Sequence, residues 1–249
     1  MIREGFRNFR LASARWLNDS TLWLTFDSDI EAEPGQFVMA WLPGVGEKPF
    51  SIAGMAPFSL MVVDVGPFSH ALHQLQPGDK VWIKGPLGHG FQVEGDNLLL
   101  VGGGYGSAPL LALAHDARTK SAKVTACLGA RTAEGLLLGK DFADLGCQVE
   151  FMTEDGSAGR QGLITLAVEE ILATGEVDLL AACGPTGMLS ALAGLARQYH
   201  VPSQLSWEAQ MRCGMGLCGS CEVPQSLDPA LPPGWLACFD GPVFNKDKD

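Results

Sequence analysis

Leu98-Leu99-Leu100-Val101-Gly102-Gly103-Gly104-Tyr105-Gly106-Ser107-Ala108-Pro109 is the stretch on which the reading of the fold turns. A short apolar run of strand length passes into a glycine-rich turn, and the turn opens onto helix-forming residues 108–118. Glycines between a strand and a helix leave free backbone N–H groups and the positive end of the helix dipole facing one point. A pyrophosphate can sit there. The dinucleotide fingerprint wants a third glycine where this chain has Pro109, a residue suited to a first helical turn. Taken alone, the loop reads equally as a tight strand-to-helix turn with no ligand.

The same rhythm continues downstream. Apolar runs at 123–128, 148–152 and 177–183 read as buried strands, and the stretches 133–145, 163–173 and 188–199 between and after them read as helices. Strands alternating with helices of this length argue for parallel βαβ units. The last run enters a second glycine turn, Ala182-Cys183-Gly184-Pro185-Thr186-Gly187-Met188. Two such turns at the carboxyl ends of parallel strands point into one crevice, the usual ligand site of an open sheet.

Upstream the pattern is different. Thr21-Leu22-Trp23-Leu24-Thr25-Phe26 alternates with period two, Pro34-Gly35 precedes an apolar run at 36–41, and another occupies 60–65. Pro77-Gly78-Asp79 precedes a further run at 80–83. Short strands separated by Pro-Gly turns predict an antiparallel barrel or sandwich. Lys48-Pro49-Phe50-Ser51 stands out in this segment, because a cation, a rigid proline and a hydroxyl can hold a phosphate beside a flat ring. An ordinary loop with a solvated lysine is the plainer reading.

The end of the chain carries Cys213, Cys218, Cys221 and Cys238, spaced C-x4-C-x2-C with one distal cysteine. Four thiolates in this plant-type spacing hold a 2Fe–2S cluster. Glycines alternate with the first three, as a backbone curling around a cluster requires: they take positive φ and let N–H groups approach the sulfurs. Zinc is the main alternative, but zinc sites usually join two short hairpins, and no His lies between Cys213 and Cys238. A disulfide framework is the other, although nothing in the chain indicates secretion. Cys127 and Cys147 lie in apolar surroundings and read as small buried hydrophobes.

The 249 residues suggest about two domains beside this tail, expected at 1–95, 96–205 and 206–249. Hydrophobic residues make up 47% and charged residues 18%, the balance of a packed globular chain. A net charge of −11 argues against nucleic acid and an anionic membrane surface as partners. Met1-Ile2-Arg3-Glu4 leads into no apolar core of a signal peptide, and no apolar run is long enough to span a bilayer. The expectation is a cytoplasmic protein with a frayed end from Asn245 to Asp249.

Together these motifs resemble the ferredoxin–NADP reductase superfamily, and within it the electron-transfer subunits of NAD-dependent, two-protein dihydroorotate dehydrogenases. The likeness rests on Lys48-Pro49-Phe50-Ser51, the two glycine turns, the cysteine tail and three further stretches. These are Gly85-Pro86-Leu87-Gly88-His89-Gly90-Phe91, Asp155-Gly156-Ser157-Ala158-Gly159 and Cys238-Phe239-Asp240-Gly241-Pro242-Val243-Phe244. It implies an antiparallel FAD-binding barrel, a parallel-sheet NAD-binding α/β domain and a small 2Fe–2S cysteine domain. It also implies cofactor-binding roles for Lys48, Pro49, Phe50, Ser51, Val62, Val63, Phe68 and Ser69 on the barrel. On the α/β domain the implied positions are Gly102, Gly103, Gly104, Gly106, Pro109, Cys183, Gly184 and Pro185. Cys183 is placed near the nicotinamide, with a packing role as its alternative.

No residue is expected to act as an acid or base. The implied function is an electron relay between NAD and an FMN-containing catalytic subunit of pyrimidine biosynthesis, the two forming a heterotetramer. Alternative partners are a hydrogenase, a sulfide-linked enzyme or a glutamate-synthase-like system, and a redox-sensing iron–sulfur module is the alternative class. The chain departs from the family at Lys48, usually Arg, which keeps the charge but loses the bidentate fork. It departs again at Phe68-Ser69, where a Gly-Thr pair is usual. Arg131, after the second α/β strand, is a candidate contact for the 2′-phosphate of NADP.

Overall fold

The computed structural model describes residues 5–245. The Met1-Ile2-Arg3-Glu4 stretch and residues 246–249 of the end expected to fray lie outside the described residues; Asn245, expected to fray with them, instead ends the last strand, paired with Gln204. Six strands, β1 (Arg7–Asn18), β2 (Thr21–Phe26), β3 (Phe37–Leu42), β4 (Gly46–Met55), β5 (Phe58–Val63) and β6 (Lys80–Leu87), form the first unit. They close into an antiparallel barrel in the order β1-β2-β5-β4-β3-β6, which leaves no open edge. The alternation of β2 works as expected: Leu22, Leu24 and Phe26 point into the barrel. Phe58 lies between Phe26 and Phe9, with ring centroids at 4.9 and 5.0 Å. Helix α1 (Pro67–His73) adds Phe68 and Leu72 to the same core.

Lys48-Pro49-Phe50-Ser51 is strand, not loop, and pairs with Phe37–Ala40 of β3. Pro49 hides this from the sequence, since a residue without an N–H weakens a ladder and speaks against an internal strand. Strand β1 is equally inconspicuous, because only Phe9 and Leu11 of its twelve residues are buried.

The second unit is a seven-stranded sheet. It contains β7 (Asn97–Gly103), β8 (Lys123–Ala130), β9 (Gln148–Thr153), β10 (Arg160–Gln161), β11 (Leu179–Cys183), β12 (Ser203–Ser206) and β13 (Val243–Asn245). The helices are α2 (Ser107–Thr119), α3 (Gly139–Asp144), α4 (Ile164–Leu172) and α5 (Thr186–Gln198). The strand order β10-β9-β8-β7-β11-β12-β13 places the switch point between β7 and β11. The helix expected over 133–145 is interrupted. A single 3-10 turn at Ala133–Gly135 is followed by α3, with Leu138 in the left-handed region at φ 63° between them. Gly139 lies against the Phe151 ring, so the close approach of α3 to β9 takes precedence over a continuous helix.

The cysteine tail ends in the sheet. β13 pairs antiparallel with β12, and the Trp207 N–H donates to the Pro242 carbonyl at 2.9 Å. The strap Gly85–Phe91 meets the closing motif: His89 N–H donates to Gly241 O at 2.6 Å, and His89 and Pro242 form a β-bridge. Two of the motifs that carried the family likeness are thus a clasp between barrel and tail. One hydrophobic core contains Phe37 and Met39 of the barrel, Leu99 and Val101 of the sheet, and Trp207, Cys221, Trp235 and Cys238 of the tail.

Candidate functional site

The site begins where β7 and β11 end. Their parallel register sets Cys183 opposite Gly102, so the two glycine turns emerge side by side. A Cβ on Gly106 would strike the Cys183 carbonyl, and one on Gly103 would lie 2.6 Å from Pro185 Cδ. A Cβ on Gly184 would lie 3.0 Å from Gly103 Cα. These glycines let two backbone turns touch. Gly104 differs: it has φ +54° and faces open space. The buried Gly102 packs against Leu128 and Ser107, and the Ser107 hydroxyl closes the turn on Gly104 O at 2.9 Å.

In front of the turns lies a cavity of about 430 Å³. Pro49, Phe50 and Ser51 of β4 form one wall, and Tyr105, Gly106, Pro109, Cys183 and Thr186 form the second. Ser206, Trp207, Glu208, Ala209 and Met211, with Pro242, form the third. Barrel, sheet and tail therefore each contribute a side. Burial pushes the Cys183 thiol up to about 12, so it is neutral at physiological pH despite its Ser206 partner. Glu208 keeps one side exposed, and partial desolvation at the cavity mouth raises its carboxyl from the ordinary value, against the opposing effect of its hydrogen bond with Tyr105. The Tyr105 phenol is raised by burial first and by the Glu208 charge second.

The cavity gathers Pro49, Phe50, Ser51, Gly106, Pro109 and Cys183, with Gly103, Gly184 and Pro185 directly behind its wall. Lys48 is exposed on β4 beside it. Val62 lies inside the barrel core, its carbonyl bonded to the His73 ring at 2.9 Å, and Val63 is half-buried beyond it. Phe68 belongs to that core as well, 6.0 Å from Phe50 between ring centroids. The Ser69 hydroxyl accepts from the N–H groups of Val65 and Gly66 at 2.9 and 3.0 Å and donates to Gly66 O. It is engaged in capping α1. Tyr105, Thr186, Trp207 and Glu208 are cavity residues that the sequence did not single out, and Met211, which with Met215 and Leu217 suggested a docking face, lines the cavity instead. The only sequence signal for Trp207 and Glu208 is their place just ahead of Cys213.

The four thiols come as two interacting pairs, Cys213 with Cys218 and Cys221 with Cys238. Gly214, Gly216 and Gly219 all have positive φ, between 66° and 78°, as the curling loop requires. Gly216 N–H donates to Cys238 Sγ at 3.2 Å, and backbone N–H groups of Met215, Cys218 and Leu217 hold the Cys213 thiol below its ordinary value. Ser220, through its hydroxyl and backbone, draws Cys218 down to about 6. Burial pushes Cys238 up to about 12. Among the described residues no group of three or more His, Cys, Asp or Glu is drawn together to hold a single metal ion. The seven cysteines form no disulfide.

One zinc ion needs four ligands about 2.0–2.3 Å from one centre; two thiol pairs fringed by N–H donors suit a cluster of two irons. For a flavin and a nicotinamide, the fit lies in the cavity. It has an aromatic and proline wall at Pro49-Phe50, a hydroxyl at Ser51, a neutral thiol at Cys183, and a glycine turn at its rim.

Comparison with known proteins agrees with this geometry. Residues 208–248 match the iron–sulfur cluster binding domain of dihydroorotate dehydrogenase B. A probable dihydroorotate dehydrogenase B (NAD(+)), electron transfer subunit, of Thermococcus kodakarensis is 44% identical, covering 90% of this chain and 89% of that protein. Its counterpart in Methanocaldococcus jannaschii is 40% identical, with coverages of 89% and 82%. The solved NADH-dependent reduced ferredoxin-NADP oxidoreductase, described for flavin-based electron bifurcation, superposes with a TM-score of 0.84 at 30% identity. That match covers 98% of this chain and 90% of the other. The ferredoxin reductase of carbazole 1,9a-dioxygenase, at 23% identity and a TM-score of 0.67, shares the fold. With relatives this similar along nearly the whole chain, the protein belongs to the family of electron transfer subunits of NAD-dependent dihydroorotate dehydrogenase B.

Proposed function

We propose that this chain relays electrons between NAD and a partner subunit that oxidises dihydroorotate. One observation carries the reading: the segment that walls the cavity runs straight into the thiols. Ala209 and Met211 line the cavity, and Cys213 follows two residues later. When bound, FAD converts the electron pair of a nicotinamide hydride into single electrons, the only kind a two-iron cluster can carry.

The chain's own residues supply position and surroundings. Phe50 and Pro49 offer a flat apolar wall to the flavin ring, and Ser51 offers a hydroxyl to its polar edge. Cys183, neutral and small, would meet a nicotinamide without adding charge. The N–H groups of the two glycine turns would hold the nucleotide's pyrophosphate. Asp155 stands beside Arg131, its N–H on the Arg131 carbonyl at 3.2 Å, and Ser157 holds its carboxyl below the usual range. An ionised carboxylate there favours a free ribose hydroxyl over a 2′-phosphate, hence NAD over NADP.

Around the thiols, Met215, Leu217 and Phe239 are 46%, 80% and 62% exposed. Three large apolar side chains beside a cluster suit a docking face for the partner. That partner would be an FMN-containing catalytic subunit, in a heterotetramer. Among the described residues no helix is long and apolar enough to cross a membrane, and seven free thiols suit the reducing cytoplasm. A second reading keeps the relay and changes the partner. The superposition on the NADH-dependent reduced ferredoxin-NADP oxidoreductase favours a ferredoxin-linked assembly, and co-purification with a dihydroorotate-oxidising flavoprotein separates the two.

The test is an anaerobic absorbance spectrum with iron and zinc quantified, before and after NADH. Flavin and iron–sulfur bands that bleach together are expected. Cys218→Ser should remove the cluster bands and leave the flavin. A colourless zinc protein would sink the relay.

A further inference from the structure

Cys218 is the exposed member of the four thiols, and its Sγ lies 3.1 Å from the Ser220 hydroxyl. The same hydroxyl lies 3.0 Å from the carbonyl oxygen of Gln210. Gln210 sits between Ala209 and Met211, both of which line the cavity. One side chain therefore bridges the cavity wall and a cluster ligand.

A serine hydroxyl has one proton to donate. While Cys218 is a thiol, its S–H can donate to Ser220, and the serine proton goes to Gln210. An iron-bound thiolate has no proton, so a 3.1 Å contact is favourable only if Ser220 donates to the sulfur. Gln210 is exposed, and its carbonyl can turn to water at little cost. The serine proton is therefore free to follow the charge on the sulfur.

We infer that Ser220 is a positioning residue of the relay, whose hydroxyl donates to the Cys218 thiolate and sets the reduction potential of the cluster. The inference rests on the reading of the four cysteines as cluster ligands. Added electron density on the sulfur strengthens a charge-assisted hydrogen bond, so the bond favours the reduced state and raises the potential.

The intact chain and its Ser220→Ala and Ser220→Thr variants, purified anaerobically, decide the matter. Redox titration followed by electron paramagnetic resonance gives the midpoint of each. Resonance Raman spectra in H₂O and D₂O report exchangeable hydrogen bonds to the sulfurs. Ser220→Ala is expected to have a more negative midpoint and a smaller D₂O shift of the iron–sulfur stretches, and Ser220→Thr to restore both. An alanine variant with the parent's midpoint and D₂O shift overturns the inference. If the alanine variant binds no cluster, a threonine variant with the parent's values supports it. Loss of the cluster from both variants overturns it, since the residue then only holds the loop. Absence of iron from the unmodified chain overturns the proposed function, and this inference with it.

Discussion

Glu208 shows how much one side chain depends on its surroundings. In the sequence it is a carboxylate among many; in the fold it stands at the mouth of the cavity, still exposed on one side, bonded to Tyr105, with its pKa raised chiefly by partial desolvation there. An acid whose pKa is higher folded than unfolded stabilises the fold while it is protonated. That contribution is complete below the ordinary value of 4.5 and is lost as the pH rises through the raised one. Glu208→Gln cannot ionise. It is expected to melt above the parent at about pH 7, with the gap closing as the pH falls below 4.5. Thermal melts across that range check this, and a gap independent of pH would show that desolvation does not act on Glu208. Ser69 teaches the opposite lesson. Its hydroxyl resembles a ligand donor on paper, yet three backbone groups of the α1 cap already engage it.

Among the elements, the start of β7 joins barrel to sheet. Gly95, at φ +77°, turns the chain against Asp178, and the Asp178 carboxylate accepts from the N–H groups of Asp96 and Asn97 at 2.8 and 2.9 Å. These bonds hold Asp178 below its usual 3.8. A depressed acid gives its full stabilisation above the unfolded value, and loses it as the pH drops through the folded one. Asp178→Ala is expected to melt lower than the parent at neutral pH, with the difference vanishing in acid below 3.8. An unchanged melt at neutral pH would mean that the Asp96–Asn97 N–H groups are satisfied otherwise. The four central strands of this unit, β7, β8, β9 and β11, were legible from residue 96 onward, because buried strands in parallel sheets are plain apolar runs. β4 was not legible, since Pro49 masks it, and β10, β12 and β13, of two to four residues, were too short to register.

At the scale of the molecule, the clasp between barrel and tail governs the geometry of the relay. Gly88 has φ +72°, and a Cβ there would strike the Gly241 carbonyl and lie 2.8 Å from Pro242 Cδ. Gly88→Ala should cost about 1–3 kcal/mol, the usual penalty of forced overpacking. Because the tail carries the thiols, it should also slow NADH-driven bleaching of the iron–sulfur bands while leaving flavin bleaching unchanged. Stopped-flow absorbance separates the two signals. Equal slowing of both would place the defect in the cavity instead of the clasp.

The sequence by itself determined what local pattern can encode. The period-two barrel strands, the βαβ rhythm, the glycine turn after Val101 and the spacing of Cys213, Cys218, Cys221 and Cys238 all depend on neighbours along the chain. Only the tertiary structure decided what depends on neighbours in space. It set the glycine turns of β7 and β11 against each other, turned Phe68 and Val62 into the barrel, and brought Trp207, Glu208 and Met211 to the cavity. It also returned β13 to the sheet, and with it placed the cysteine tail beside the cavity. Register, packing and burial make those choices, and each arises from pairs of residues far apart in sequence.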